Sequence, residues 1–137
     1  MLDWSKIDME KLTATTIDHV NFKVKSLEET FKFYHDLFDF QIKQEINPNK
    51  SDVPSIIIGN DTIKLCLYEV PDMKPDGGIA HFGFHITNFN DILKKCKELG
   101  VDILYEGIVD WEKSKSVYIV DPNGYEIELS EISGGGL

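Results

Sequence analysis

The chain repeats itself at an offset of 62 residues. IDHVNFKV (17–24) aligns without a gap on IAHFGFHI (79–86), so His19 falls on His81. The same offset sets Ser26 on Asn88, Phe31 on Leu93 and Leu37 on Leu99, and IKLCL (63–67) on YEIEL (125–129). Self-similarity over roughly fifty residues is the mark of a duplicated supersecondary unit. Each copy opens with an alternating, strand-like run. A capping residue and an amphipathic stretch follow: Ser26 with Glu29 three later, then Leu27, Phe31, Tyr34, Leu37 and Phe38 on one stripe. The second copy offers Asn88 with Asp91, then Phe89, Ile92, Leu93, Cys96 and Leu99, and Gly100 to stop the helix. Three strands are expected after each helix, near 40–46, 53–58 and 62–70, then near 101–109, 115–120 and 125–131, with NPNKSD, GND and DPNG as turn signals. The expected fold is α+β, two tandem βαβββ modules over 17–70 and 79–131 forming an open, barrel-like cavity. A single domain over 17–131 fits a chain of 137 residues. Residues 1–16 are left as an N-terminal arm and 132–137 as a tail.

Period two sorts the strands. Val20, Phe22 and Val24 take one face and His19, Asn21 and Lys23 the other; Phe82, Phe84 and Ile86 oppose His81, Gly83 and His85. The apolar face must cover the helix, so the histidines face the presumed cavity. His81 has a repeat mate in His19, whereas His85 matches Lys23 and reads as a strand-end surface residue. In the closing strands Glu128 is the repeat mate of Cys66. If the modules pack about a pseudo-two-fold axis, positions 19, 66, 81 and 128 converge as His, Cys, His and Glu. Two imidazoles and a carboxylate with positions left open suit a divalent ion such as Zn, Fe, Mn or Ni.

Charge and cysteine usage narrow the partners. Fourteen basic against 24 acidic residues leave a formal net charge of −10, which repels phosphate backbones and anionic lipid, so neither nucleic acid nor membrane is an expected partner. No signal-peptide or membrane-spanning pattern is legible, and Cys66 and Cys96 sit in no metal-type CxxC spacing, which makes a reducing cytoplasm the expected compartment.

IDHVNFKV, the FYHDLFDF helix end, IAHFGFHI and the closing SVYIVDPNGYEIEL resemble the vicinal oxygen chelate superfamily, which contains glyoxalase I, fosfomycin- and bleomycin-resistance proteins and extradiol dioxygenases. The resemblance implies paired βαβββ modules around one divalent metal, with His19, His81 and Glu128 as ligands, a small-molecule substrate and a homodimer. It also implies chelation of adjacent substrate oxygens and stabilisation of the oxyanion that develops. The branches diverge at particular residues. Glyoxalase I is similar in its ligand set but carries a carboxylate where this chain has Cys66, a position read here as a small cavity wall. Extradiol enzymes resemble the chain in the three ligands and in Tyr118, ten residues before Glu128, but place a histidine base where Cys66 stands. Tyr118 shares the face of Glu128 only if the DPNG loop has odd length. Fosfomycin-resistance proteins hold a phosphonate with cationic groups; this chain contains no arginine, and Lys115 is the nearest substitute. The expected function is a metal-dependent lyase or isomerase of glyoxalase type, with Glu128 and Tyr118 at the chemistry and Asn21, Cys66 and Lys115 lining the cavity. The alternatives are an extradiol-type dioxygenase, a fosfomycin-resistance-like transferase or hydrolase, and a non-catalytic small-molecule-binding protein.

Overall fold

In a computed structural model, residues 17, 19–45, 53–74 and 81–132 are described. The arm at 1–16, most of the tail and part of the linker between the modules lie outside the described residues.

The first module runs β1 (Val20–Val24), α1 (Leu27–Phe38), β2 (Gln41–Glu45), β3 (Ser55–Gly59) and β4 (Lys64–Glu69). The second runs β5 (Phe82–His85), α2 (Ile92–Leu99), β6 (Val109–Asp110), β7 (Lys115–Val120) and β8 (Glu126–Ser130). Each forms its own four-stranded sheet, ordered β1-β4-β3-β2 and β5-β8-β7-β6. The repeat reappears as hydrogen-bond register. Val20 pairs with Leu65 and Asn21 with Cys66 in parallel, and 62 residues later Phe82 pairs with Ile127 and Gly83 with Glu128.

Helix α1 begins where the sequence places it. Ser26 is extended and its hydroxyl accepts the Glu29 amide, with acidic Glu28 and Glu29 in the first turn. The expected cap of the second helix does not form. Asn88 makes no side-chain cap bond, and its carbonyl instead accepts the Asp91 amide, closing a 3-10 turn over Phe89–Asp91 before α2 begins. The expected strand at 101–109 also contracts, to the two residues of β6 and a single bridge between Ile103 and Ile119. Between them Tyr105 and Glu106 adopt φ of 55° and 63° and Gly107 follows at 110°. Three left-handed residues in a row cannot continue a pleat.

One core serves both modules. Phe22, Val24, Tyr34, Phe40, Leu65 and Leu67 cluster with Phe84, Phe89, Ile92, Cys96, Ile127 and Leu129. Phe22 meets Phe82 with ring centroids 5.6 Å apart, and the Phe84 ring lies 5.2 Å from Phe38 and 5.7 Å from Phe40. A polar clasp joins the modules as well. Tyr34 donates to Asp121, Asn123 donates to Thr30, the Lys25 amide donates to Asn123, and the Tyr125 hydroxyl donates to the Lys23 carbonyl. The DPNG turn of the second module therefore rests on β1 and α1 of the first.

Candidate metal centre

The hairpin turns decide which side chains meet on the second sheet. Asn60 accepts the Thr62 and Ile63 amides in the β3–β4 loop, and Asp121 accepts the Asn123 and Tyr125 amides in the β7–β8 loop. The devices are equivalent, but the second loop, residues 121–125 between the paired Val120 and Glu126, is one residue longer than residues 60–63 between Gly59 and Lys64. That odd-length loop sets Tyr118 directly opposite Glu128 and so onto its face. Ser116 pairs with Ser130 on the same face, two residues along each strand. Lys115 has the opposite parity and is exposed; the structure does not bring it to the face of Glu128.

Glu128 is 3 % exposed, yet it is well provided with partners. His81 Nε2 lies 3.3 Å from Oε1. Oε2 accepts the Ser116 hydroxyl at 2.7 Å and the Ser130 hydroxyl at 3.4 Å. The Trp111 indole N–H donates to Ser116 Oγ at 3.1 Å. Gly83 pairs side by side with Glu128, and an added Cβ there would stand 3.3 Å from the Glu128 carbonyl oxygen and 3.6 Å from the Glu128 Cβ. The His81 ring meets Tyr118 edge-on at 5.9 Å, and Tyr105 meets Tyr118 edge-on at 5.2 Å. Burial first, then the charge of Glu128 and a hydrogen bond to it, push the Tyr118 phenol up to about 12. The phenol keeps its proton across the neutral range.

An imidazole nitrogen and a carboxylate oxygen converging on one point fit a divalent cation as two of its ligands. The described residues do not add a third within one chain. Among the described residues no group of three His, Cys, Asp or Glu side chains is placed to hold a metal ion, so positions 19, 66, 81 and 128 do not converge as expected. The reason is the shared core: the helix-side faces of both sheets are committed to it, and the face bearing His19, Asn21 and Cys66 is the opposite face of the first sheet. His85 is exposed, and its Nε2–H donates to the Glu131 carbonyl at 2.9 Å. A cleft of about 700 Å³ opens between α1, β5 and α2, lined by His35, Phe38, Phe84, His85, Lys95 and Cys96 among others. None of His81, Tyr118 or Glu128 lines it.

Ser116, Ser130 and Trp111 were not singled out from the sequence. Period two from Tyr118 and Glu128 reaches the two serines; nothing local marks Trp111, which comes from the preceding turn.

Comparison with known proteins agrees with this architecture. The family model described as the Glyoxalase/Bleomycin resistance protein/Dioxygenase superfamily matches residues 16–129. The metallothiol transferase FosB of Staphylococcus epidermidis is 27% identical over 121 residues, covering 86% of this chain and 82% of that protein. A lactoylglutathione lyase of Arabidopsis thaliana is 24% identical over 137 residues; the match covers 94% of this chain but only 47% of the plant protein. Among solved structures, a mutant of the fosfomycin resistance protein FosX from Listeria monocytogenes, complexed with Mn(II) and 1S,2S-dihydroxypropylphosphonic acid, superposes with a TM-score of 0.73 at 18% identity, covering 89% of this chain and 96% of that one. At that identity the likeness shows the fold alone. With paired βαβββ modules of the same strand order and a family match over nearly the whole repeat, the chain belongs to the glyoxalase/bleomycin resistance protein/dioxygenase, or vicinal oxygen chelate, superfamily.

Proposed function

We propose that the protein is a divalent-metal-dependent enzyme of glyoxalase type, a lyase or isomerase acting on a small substrate with adjacent oxygen atoms. Its metal ligands are His81, Glu128 and His19. The observation that carries this reading is the His81–Glu128 pair at 3.3 Å. When bound, the ion supplies Lewis-acid stabilisation of charge on the chelated oxygens. The chain's own groups do the rest. His81 and Glu128 hold the ion from two neighbouring strands. Tyr118, across from Glu128, stands where it can donate a hydrogen bond to a chelated oxygen. Tyr105 and Trp111 give the site aromatic walls. Because the first module's site face is turned away from the core, the third ligand comes from a second copy of the chain. The assembly is a homodimer in which His19, Asn21 and Cys66 of one subunit face His81 and Glu128 of the other. The catalytic domain is 17–131, with 1–16 as an arm toward the partner.

The similarity to FosB favours a second reading, thiol transfer to fosfomycin. The absence of arginine from the chain and the outward parity of Lys115 count against it, since phosphonates are held by cationic forks.

Elemental analysis of purified protein should find one divalent ion per chain, lost in His81→Ala and in His19→Ala. Mixed and refolded, His19→Ala and Glu128→Gln chains should regain part of the metal, because one of the two sites in each mixed dimer is intact. A monomer in sedimentation, or no recovery on mixing, excludes the shared site. Turnover of a 2-oxoaldehyde–thiol hemithioacetal without oxygen uptake supports the first reading. Turnover of fosfomycin with a thiol favours the second, and oxygen consumption with catechols would point to ring cleavage instead.

A further inference from the structure

We propose that Ser116, oriented by Trp111, is a positioning residue that commits Glu128 to bind a divalent cation through Oε1 alone. This rests on the metal-site reading above and adds to it how the carboxylate binds.

The argument is one of hydrogen-bond polarity. An indole N–H can only donate, and an ionised carboxylate can only accept. Ser116 Oγ stands between the two, 3.1 Å from Trp111 Nε1 and 2.7 Å from Glu128 Oε2. Its lone pair takes the indole proton, so its single proton must go to Oε2. The hydroxyl has no other arrangement that satisfies both neighbours. Ser130 adds a longer contact to the same oxygen at 3.4 Å. Oε2 is therefore engaged on the side away from the site, and Oε1 is the oxygen that faces His81 Nε2. A carboxylate held in this way gives one coordination bond instead of two. The position that a bidentate carboxylate would occupy stays open for a substrate that chelates through two oxygens.

The first module provides an internal comparison. Ser55 pairs with Tyr68 as Ser116 pairs with Ser130, so Ser55 is the structural mate of Ser116. Cys66 stands where Glu128 does. With no carboxylate to receive it, the buried Ser55 hydroxyl has no hydrogen-bond partner among the described residues. The serine is present in both modules, but only the second gives its proton a destination. Trp111 is the added element, brought over Ser116 by the bond from its own amide to the Ser114 carbonyl at 2.8 Å.

Metal affinity, read by chelator competition with Mn(II) and Zn(II), tests this without reference to turnover. Ser116→Ala should weaken binding by about 10–100-fold, the usual effect of losing a group that orients a ligand. Trp111→Phe should weaken it in the same direction and less. The thermal midpoint of metal-stripped Ser116→Ala should stay close to that of metal-stripped wild type, separating positioning from folding. In a Trp4→Phe background Trp111 is the remaining tryptophan; its emission should change on metal addition, and Ser116→Ala should abolish that change. If wild type binds neither ion, the metal reading fails and this inference with it. If wild type binds and Ser116→Ala binds within about twofold of it, or the emission responds equally in both, the positioning role alone is overturned.

Discussion

Serine at two equivalent positions does different work in the two modules. Ser116 delivers its proton to a carboxylate, while Ser55 Oγ is buried without a partner among the described residues. An unsatisfied buried hydroxyl costs free energy, so Ser55→Ala should be neutral or stabilising by up to about 1 kcal/mol. Chemical denaturation checks this, and a loss of more than about 1 kcal/mol would show that the hydroxyl has a partner after all. The two histidines of HFGFHI separate in the same way. His81 meets Glu128; His85 bonds a backbone carbonyl at the strand end. His85→Gln preserves a donor there and should leave metal affinity within about threefold, whereas His81→Ala should lower it by two orders of magnitude or more. A comparable loss in both variants would mean that the wrong histidine has been given the metal.

Among the elements, the DPNG turn carries more than its length suggests. Asp121 is 4 % exposed and accepts two amides, the Asn123 side chain and the Tyr34 hydroxyl. Burial still outweighs these bonds and raises its pKa from the ordinary 3.8. A carboxyl raised on folding favours the protonated form. Its contribution to stability is therefore complete below the unfolded pKa and is lost as pH rises through the folded one. The stability of wild type relative to Asp121→Asn should accordingly be greatest near pH 3 and fall by about pH 7; a difference independent of pH would refute the shift. Tyr34→Phe removes a buried donor to that carboxylate and should cost about 1.5–3 kcal/mol. At the other hairpin, Gly59 admits no side chain, because an added Cβ would stand 1.8 Å from the Ile63 carbonyl oxygen. Gly59→Ala should break the β3–β4 register, seen as lost amide protection in both strands.

At the scale of the whole molecule, the two modules are one folding unit. The first contributes Phe22, Tyr34 and Phe40 to the cluster that receives Phe84, Phe89 and Cys96 from the second. A module expressed alone would expose those rings to water at about 25 cal/mol per Å², far beyond what the marginal stability of a small domain tolerates. Residues 75–137 expressed alone should therefore show no cooperative thermal transition, and mixing with residues 1–74 should restore one. A sharp transition for the isolated half would show that its core is sufficient by itself. The exposed edge strand β2 carries Lys43 and Glu45, which discourages indiscriminate edge pairing and leaves the site faces as the surfaces that a second copy would match.

Much of this was already legible in the amino-acid order. The 62-residue offset predicted the duplicated module, and the register of both parallel pairs obeys it residue for residue. Period two alone separated core faces from site faces, because a strand's side chains alternate whatever surrounds them. The repeat, with its modules packed about a pseudo-two-fold axis, led to the expectation that positions 19, 66, 81 and 128 converge, and of these His81 and Glu128 meet. What the order could not carry was set by contacts between distant segments. The second helix begins through a 3-10 turn, and the strand after it collapses, because backbone conformations at Asn88 and at Tyr105 to Gly107 answer to packing and not to local pattern. Trp111 reaches Ser116 across a turn that no periodicity reports. The expected meeting of His19 with His81 also depended on how two sheets share a core. Internal symmetry specifies each half in detail, but it is silent on which faces the halves turn toward one another. That is decided by the aromatic rings of Phe22, Phe38, Phe40 and Phe84, which bury together and leave both histidine-bearing faces turned away from the core they share.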